Sequence, residues 1–236
     1  MTKSILFVRG FATQLSSGID DYMYIKVLLE REYKFTYFDY EPSEDLDVVY
    51  NRLLNALQSV NMHPDIIIAH SLGGGLIAKY IKTMPKTVID GHEKIILLMP
   101  LICKNIINDF ASNFQFIPNI LIPKSLFLPA SYLFDVGNLL NNDNSLISFK
   151  QPFVLYNDPS YAISNDVSFI KNNKNVTLFY ASDEKLNMID ESVLSTIPKK
   201  QLKRVSGLHN CWRSIQVNKT LETDFFTQFI NVLDEK

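Results

Sequence analysis

Short, wholly apolar runs alternate with longer segments that are apolar on one face only. SILFVRG (4–10) is a brief run of β-formers closed by glycine. DDYMYIKVLLEREY (20–33) carries Met23, Tyr24, Val27 and Leu28 at helical spacing. KFTYFDYEP (34–42) reads as a strand ended by Pro42. DLDVVYNRLLNALQSV (45–60) reads as a helix, with Val49, Leu53, Ala56, Leu57 and Val60 on one face. DIIIAHS (65–71) is a strand, GGGLIAKYIKTM (73–84) a helix and KIILLMP (94–100) a strand. The rhythm returns with NVTLFYASD (175–183), an amphipathic helix near 190–197, QLKRVSG (201–207) and a closing helix from about Ile215 to Leu233. Strands apolar on both faces and alternating with helices predict a mainly parallel sheet of about six strands, with helices on each side.

Residues 101–170 interrupt this order. They hold Pro118, Pro123, Pro129, Pro152 and Pro159, with apolar pieces such as FQFIPNILIP and LFLPASYLF between them. That is too apolar for a disordered linker and predicts an inserted cap of short helices on a single domain, 1–236. Phe114, Phe116, Leu121 and Phe127 are its candidate substrate-binding residues, although packing within the cap explains them equally well.

Composition excludes several classes. The chain has 236 residues, 47% hydrophobic and 20% charged, with a formal net charge of −2. Lysine and arginine are spread evenly, which argues against a nucleic-acid partner. The longest apolar run, Ile95 to Cys103, is broken by Pro100 and is far short of the ~20 residues of a membrane span. The amino-terminal run is too short for a signal-peptide core of ~7–15 residues. Two cysteines, Cys103 and Cys211, show neither C-x-x-C nor metal spacing, so the expectation is a cytoplasmic protein with free thiols, no metal and no cofactor.

The sharpest motif is Ala69-His70-Ser71-Leu72-Gly73, at the passage from strand 65–70 into helix 73–84. A serine raised above a sheet at such a turn needs small residues two before and two after it, so that the helix can pack back on the strand. Ala69 and Gly73 meet that need. Gly74 and Gly75 add room that a plain helix would not choose, since glycine costs ~1 kcal/mol against alanine. The competing reading is a glycine-rich helix start with Ser71 as its cap.

In this context the motif resembles the nucleophile elbow G-x-S-x-G of the α/β-hydrolase superfamily, in its lipase and esterase branch, with alanine for the first glycine. The resemblance covers nearly the whole chain in element order, with the two strands that often open the family's sheet absent. It implies an α/β-hydrolase fold with an inserted helical cap, and cleavage of a small-molecule acyl ester through an acyl-enzyme. Ser71 is then the nucleophile and needs a base. His70 should face away from Ser71, His63 and His92 lie in polar turns, and His209 sits in SGLHNCW, the loop where the family keeps its histidine. Asp183, just past strand 176–181, is the expected orienting acid, with Glu184 and Asp190 as alternatives. The order Ser71, Asp183, His209 matches this fold. The expected oxyanion donors are the N–H of Leu72 and one from the loop after strand 4–10, that of Phe11. The family often has His-Gly there, and this chain has Arg9-Gly10, so Arg9 either serves the site or simply pairs with a carboxylate. A thioesterase, acyltransferase or peptidase with the same triad, and a non-catalytic binding module, are the competing functions.

Overall fold

The computed structural model describes residues 2–10, 25–26, 29–30, 32–41, 44–59, 63–102, 127–129, 146–148, 166–184, 188–207, 211 and 219–235. In chain order the elements are β1 (Ser4–Val8), β2 (Lys34–Phe38), α1 (Leu46–Gln58), β3 (Ile66–His70), α2 (Leu72–Thr83), α3 (Lys86–Ile89) and β4 (Lys94–Leu98). They continue with β5 (Phe127–Pro129), β6 (Leu146–Ser148), α4 (Ser168–Lys171), β7 (Val176–Ala181), α5 (Glu191–Leu194), β8 (Leu202–Val205) and α6 (Lys219–Asp234).

Six of these strands form one sheet in the order β2-β1-β3-β4-β7-β8. Every neighbouring pair is parallel. The chain runs outward from β1 to β2, then returns across β1 to β3. The order reverses there, between β1 and β3, and open α/β sheets bind their ligands at the carboxyl ends of such strands.

Two cores flank the sheet, and strand alternation sorts residues between them. Leu6, Val8, Ile67, Ala69, Ile95, Leu97, Leu178 and Tyr180 face α1 and α2, meeting Leu46, Val49, Leu53, Leu76, Ile77 and Tyr80. Ile5, Phe7, Ile66, Ile68, Ile96, Leu98 and Phe179 face the other way, onto Ile25, Leu29 and the α6 residues Phe225, Phe229 and Val232. Each central strand is buried on both sides, which is why its sequence is continuously apolar. Lys94 ties the last helix to the sheet: its ammonium donates to the carbonyls of Val232, Leu233 and Glu235 at the end of α6.

Some details depart from the sequence expectation. The helix expected near 190–197 is a single turn, α5, followed by turns to Pro198. Two further short helices, α3 and α4, bracket β4 and the insertion. The chain leaves β4 and returns in β7, its immediate neighbour. Within the insertion, where short helices are expected, the described residues include an antiparallel pair, β5 with β6, in which Phe127 stands opposite Ser148.

Candidate active site

Ser71 occupies the step between β3 and α2 with φ 50° and ψ −115°. A β-carbon makes that region costly, by roughly 1–3 kcal/mol, and it persists only where the surroundings enforce it. They do so here. The Ser71 N–H donates to the Leu98 carbonyl at the end of β4 (3.0 Å). Its carbonyl accepts from Gly75 (3.1 Å) and from Leu101 (2.8 Å). Ser71 is 5% exposed. Its side chain makes no capping hydrogen bond to α2, so the helix-cap reading of the motif is not realised.

The three glycines after it are required by close approach. A Cβ on Gly73 would overlap the Arg9 carbonyl and lie 2.6 Å from the Val8 carbonyl, at the end of β1. One on Gly74 would lie 2.5 Å from Cβ of Pro100, and one on Gly75 would lie 2.7 Å from the Leu101 carbonyl. The first turn of α2 is wedged between the exits of β1 and β4. Met99, also at positive φ (40°), and Pro100 shape the β4 side of this wedge. Neither residue belongs to the Ala69–Gly73 motif, so neither stands out as part of the turn along the sequence. The one local trace is Pro100 itself, immediately after a strand.

The N–H groups of Leu72, Gly73 and Gly74 precede the first intrahelical bond, that of Gly75 to Ser71. They lie at the positive end of the helix dipole, where an anion is stabilised. The Leu72 N–H is therefore placed on the right element for an oxyanion donor.

Arg9 is 3% exposed and pairs with Asp39 through Nη1–Oδ1 (2.5 Å). Burial opposes its charge, but Tyr37, Asp39 and Tyr40 outweigh that and its pKa lies above the ordinary value. Arg9 is thus a paired structural cation. Gly10 is buried beside it, and its carbonyl accepts from the Tyr40 hydroxyl (2.5 Å). Phe11 lies outside the described residues.

Two of the four histidines are placed at the wrong end of the sheet. His63 and His92 stack at 4.5 Å ahead of β3. His92 is 1% exposed and bonds the Tyr80 hydroxyl through Nε2 (2.9 Å) and the Pro64 carbonyl through Nδ1 (2.7 Å). β3 is five residues long, about 16 Å, and Ser71 follows its far end. His70 is 4% exposed and alternates with Ala69 onto the face opposite α2. His209 lies outside the described residues, two positions after Gly207.

The β7 and β8 exits are joined. Ser182 N–H donates to Val205 (2.8 Å) and Asp183 N–H to Gly207 (2.9 Å). Gly207 has φ 114°, a turn that favours glycine. Asp224 of α6 steadies the same exit by accepting from the Ser206 N–H (3.1 Å). Asp183 is exposed, whereas Glu184 beside it is 6% exposed. Asp190 is exposed and stands at the start of α5. Phe114, Phe116 and Leu121 lie outside the described residues, and Phe127 is described in its backbone alone. Among the described residues no group of three or more His, Cys, Asp or Glu is placed to hold a metal ion, and no helix is long and apolar enough to cross a membrane.

No family model matches the sequence, and no curated protein matches it. Solved structures do. A monoacylglycerol lipase of Paleococcus ferrophilus superposes with a TM-score of 0.61 at 14% identity, covering 96% of this chain and 92% of that one. A soluble variant of monoglyceride lipase from Saccharomyces cerevisiae gives 0.60 at 16% identity, covering 99% and 86%. A structure reported with carboxylesterases of the thaumarchaeon Nitrososphaera gargenis gives 0.58 at 17% identity, covering 98% and 91%. These likenesses span most of each chain and match a sheet whose order reverses beside the serine turn, so the chain has the α/β-hydrolase fold.

Proposed function

We propose that the chain is a serine hydrolase of carboxylic esters. The observation that carries this reading is Ser71 itself: a buried serine at φ 50°, off any capping bond, between the reversing strands of the sheet and at the head of α2. Nothing in the packing of an ordinary strand–helix turn asks for that strain, whereas a nucleophile presented above a sheet does. Lipases and esterases among the similar structures support the ester as substrate class.

In this reading Ser71 Oγ attacks the acyl carbon while His209 takes its proton. The tetrahedral oxyanion is held by the N–H groups of Leu72 and Phe11. The alcohol leaves with the proton returned by His209, and Ser71 keeps the acyl group. Water, deprotonated by the same histidine, then attacks the acyl-enzyme and releases the acid. Asp183 holds the imidazole in its working tautomer and stabilises the imidazolium. The link between Asp183 and Gly207 supports that assignment, because it brings the carboxylate's backbone to the strand exit that leads to His209. Residues 101–170, inserted at the carboxyl edge above Ser71, cover the site and take the acyl chain, with Phe114, Phe116, Leu121 and Phe127 as its apolar lining.

A fluorophosphonate should label wild type at Ser71 and leave Ser71→Ala unlabelled. With p-nitrophenyl esters from acetate upward, kcat/KM should rise about fourfold per carbon until the pocket is full, from ~0.8 kcal/mol per buried CH₂. Labelling at another residue would overturn the nucleophile, and a flat chain-length profile would overturn the acyl-binding cap.

A further inference from the structure

The side of β1 and β2 that faces α1 changes character along its length. Toward the carboxyl edge it carries Leu6 and Val8 on β1 and Phe38 on β2, all in the core. Toward the amino edge the same rows continue as Ser4 on β1 and as Thr36 and Lys34 on β2, since every second residue of a strand shares a face. In the register Ser4 stands opposite Lys34, and Leu6 opposite Thr36. Beside the last turn of α1 these residues line a cavity of about 280 Å³, bounded by Ala56 of α1 and by His63 and Pro64 ahead of β3. The cavity lies at the amino edge of the sheet, whereas Ser71 stands past the carboxyl edge, beyond the five residues of β3.

The polar groups of this cavity are not used up by the fold. Among the described residues the Lys34 ammonium and the Thr36 hydroxyl make no hydrogen bond or ion pair, and the His63 ring stacks on His92 but makes no hydrogen bond. Asp65, next along the chain from Pro64, is turned onto Ser4: its Oδ2 accepts from the Ser4 N–H (2.7 Å) and hydroxyl (2.8 Å). Leu6, Ala56 and Pro64 supply apolar lining. A cation, a hydroxyl and an imidazole beside apolar wall suit a small monoanion with an aliphatic tail. A dry cavity of about 150 Å³ takes benzene, so this one has room for about eight to ten heavy atoms. We propose that it binds a short-chain carboxylate, the carboxylate on Lys34, Thr36 and the His63 ring and the tail on Leu6, Ala56 and Pro64. The wall is set in advance, because His63 rests on buried His92, whose Nδ1 bonds the Pro64 carbonyl (2.7 Å). Little ordering then opposes binding. This site does not depend on the serine-hydrolase reading of Ser71.

Hexanoate titrated into the isotope-labelled whole chain tests this directly, since NMR amide shifts report each residue separately. Saturable shifts should appear at Ser4, Lys34, Thr36 and His63, in wild type and in Ser71→Ala alike. Hexanol has the tail without the charge, and inorganic phosphate the charge without the tail, so each should bind at least about tenfold more weakly. Lys34→Met removes the charge from an exposed side chain and should weaken hexanoate by about 10–100-fold. Ala56→Leu fills the apolar part of the cavity from a helical position that tolerates leucine, and should abolish the shifts. Thermal melts establish that each variant is folded, and Lys34→Met decides the matter if Ala56→Leu is not. Hexanoate shifts confined to residues around Ser71, or cavity shifts that Lys34→Met leaves at wild-type strength, overturn the proposal. Hexanol or phosphate binding as tightly as hexanoate overturns it too. None of these results bears on the hydrolase reading, which the kinetics of Ser71→Ala decide.

Discussion

The backbone N–H of Asp183 donates to the carbonyl of Gly207 at 2.9 Å, tying the loop that leaves β7 to the loop that leaves β8. These loops lie beyond the parallel ladder that pairs Ala181 with Val205. The bond holds the backbone of Asp183 in fixed register with that of Gly207.

The acid can be separated from its neighbour by mutation. Asp183→Asn should lower kcat by about 10³–10⁴-fold if Asp183 holds the tautomer of His209, with little change in melting temperature because its side chain is exposed. Glu184→Gln disturbs a buried side chain and should reduce stability more than chemistry. Steady-state kinetics beside thermal melts decide between them. If Glu184→Gln is inactive and Asp183→Asn is near wild type, the acid is Glu184.

Ser71 and His209 should behave as one unit. Ser71→Ala and His209→Ala should each cost several orders of magnitude in kcat, and the double variant little more than either. Additive losses in ester hydrolysis would mean the two residues act in separate steps.

Gly73→Ala tests the wedge that holds the elbow. Its Cβ has no space against the Val8 and Arg9 carbonyls, and backbone cannot yield as a flexible side chain can. Overpacking of this kind costs about 1–3 kcal/mol, or a fall of roughly 2–4 °C in Tm per kcal/mol for a chain of this size. Activity should fall further than stability, because β1 and the serine turn are pushed apart together. A Tm and kcat equal to wild type would show that the contact is loose.

Burial lowers the His92 pKa below 6.5, with stacked His63 adding to the effect and the Pro64 carbonyl opposing it. The unfolded chain then binds this proton at higher pH than the folded chain does. The stability that neutral His92 contributes is whole above about pH 6.5 and is lost as pH falls through the lower folded value. Urea midpoints from pH 8 to 5 should therefore decline on acidification, and His92→Gln should flatten that decline. An identical acid limb in the variant would assign it to other groups.

Much of this molecule is legible along the chain, because burial leaves a local trace. The central strands are buried on both faces, so their residues are apolar without alternation, and α1 shows a single apolar stripe because only one side meets the sheet. The Ala69–Gly73 motif is legible for the same reason: a tight step from strand to helix forces small residues within five positions. The two-stranded piece at Phe127 and Ser148 was not, since a pairing across about twenty residues leaves no periodicity in three-residue strands. Pairing of Arg9 with a carboxylate is an expectation of the sequence, but that the carboxylate is Asp39, and that Tyr40 holds Gly10, is not, because these partners are about thirty residues apart and meet only because β1 and β2 lie side by side. The order of the strands and longer helices of the main sheet, the serine turn and its small neighbours can all be read along the chain, because steric demands within a few residues set them. That Met99–Leu101 buttress that turn, that His63 and His92 stand at the far end of the sheet from it, and that Asp183 is bound to the exit of β8 are visible in the folded chain alone. Those relations follow from the order in which parallel strands pair, which no local pattern encodes.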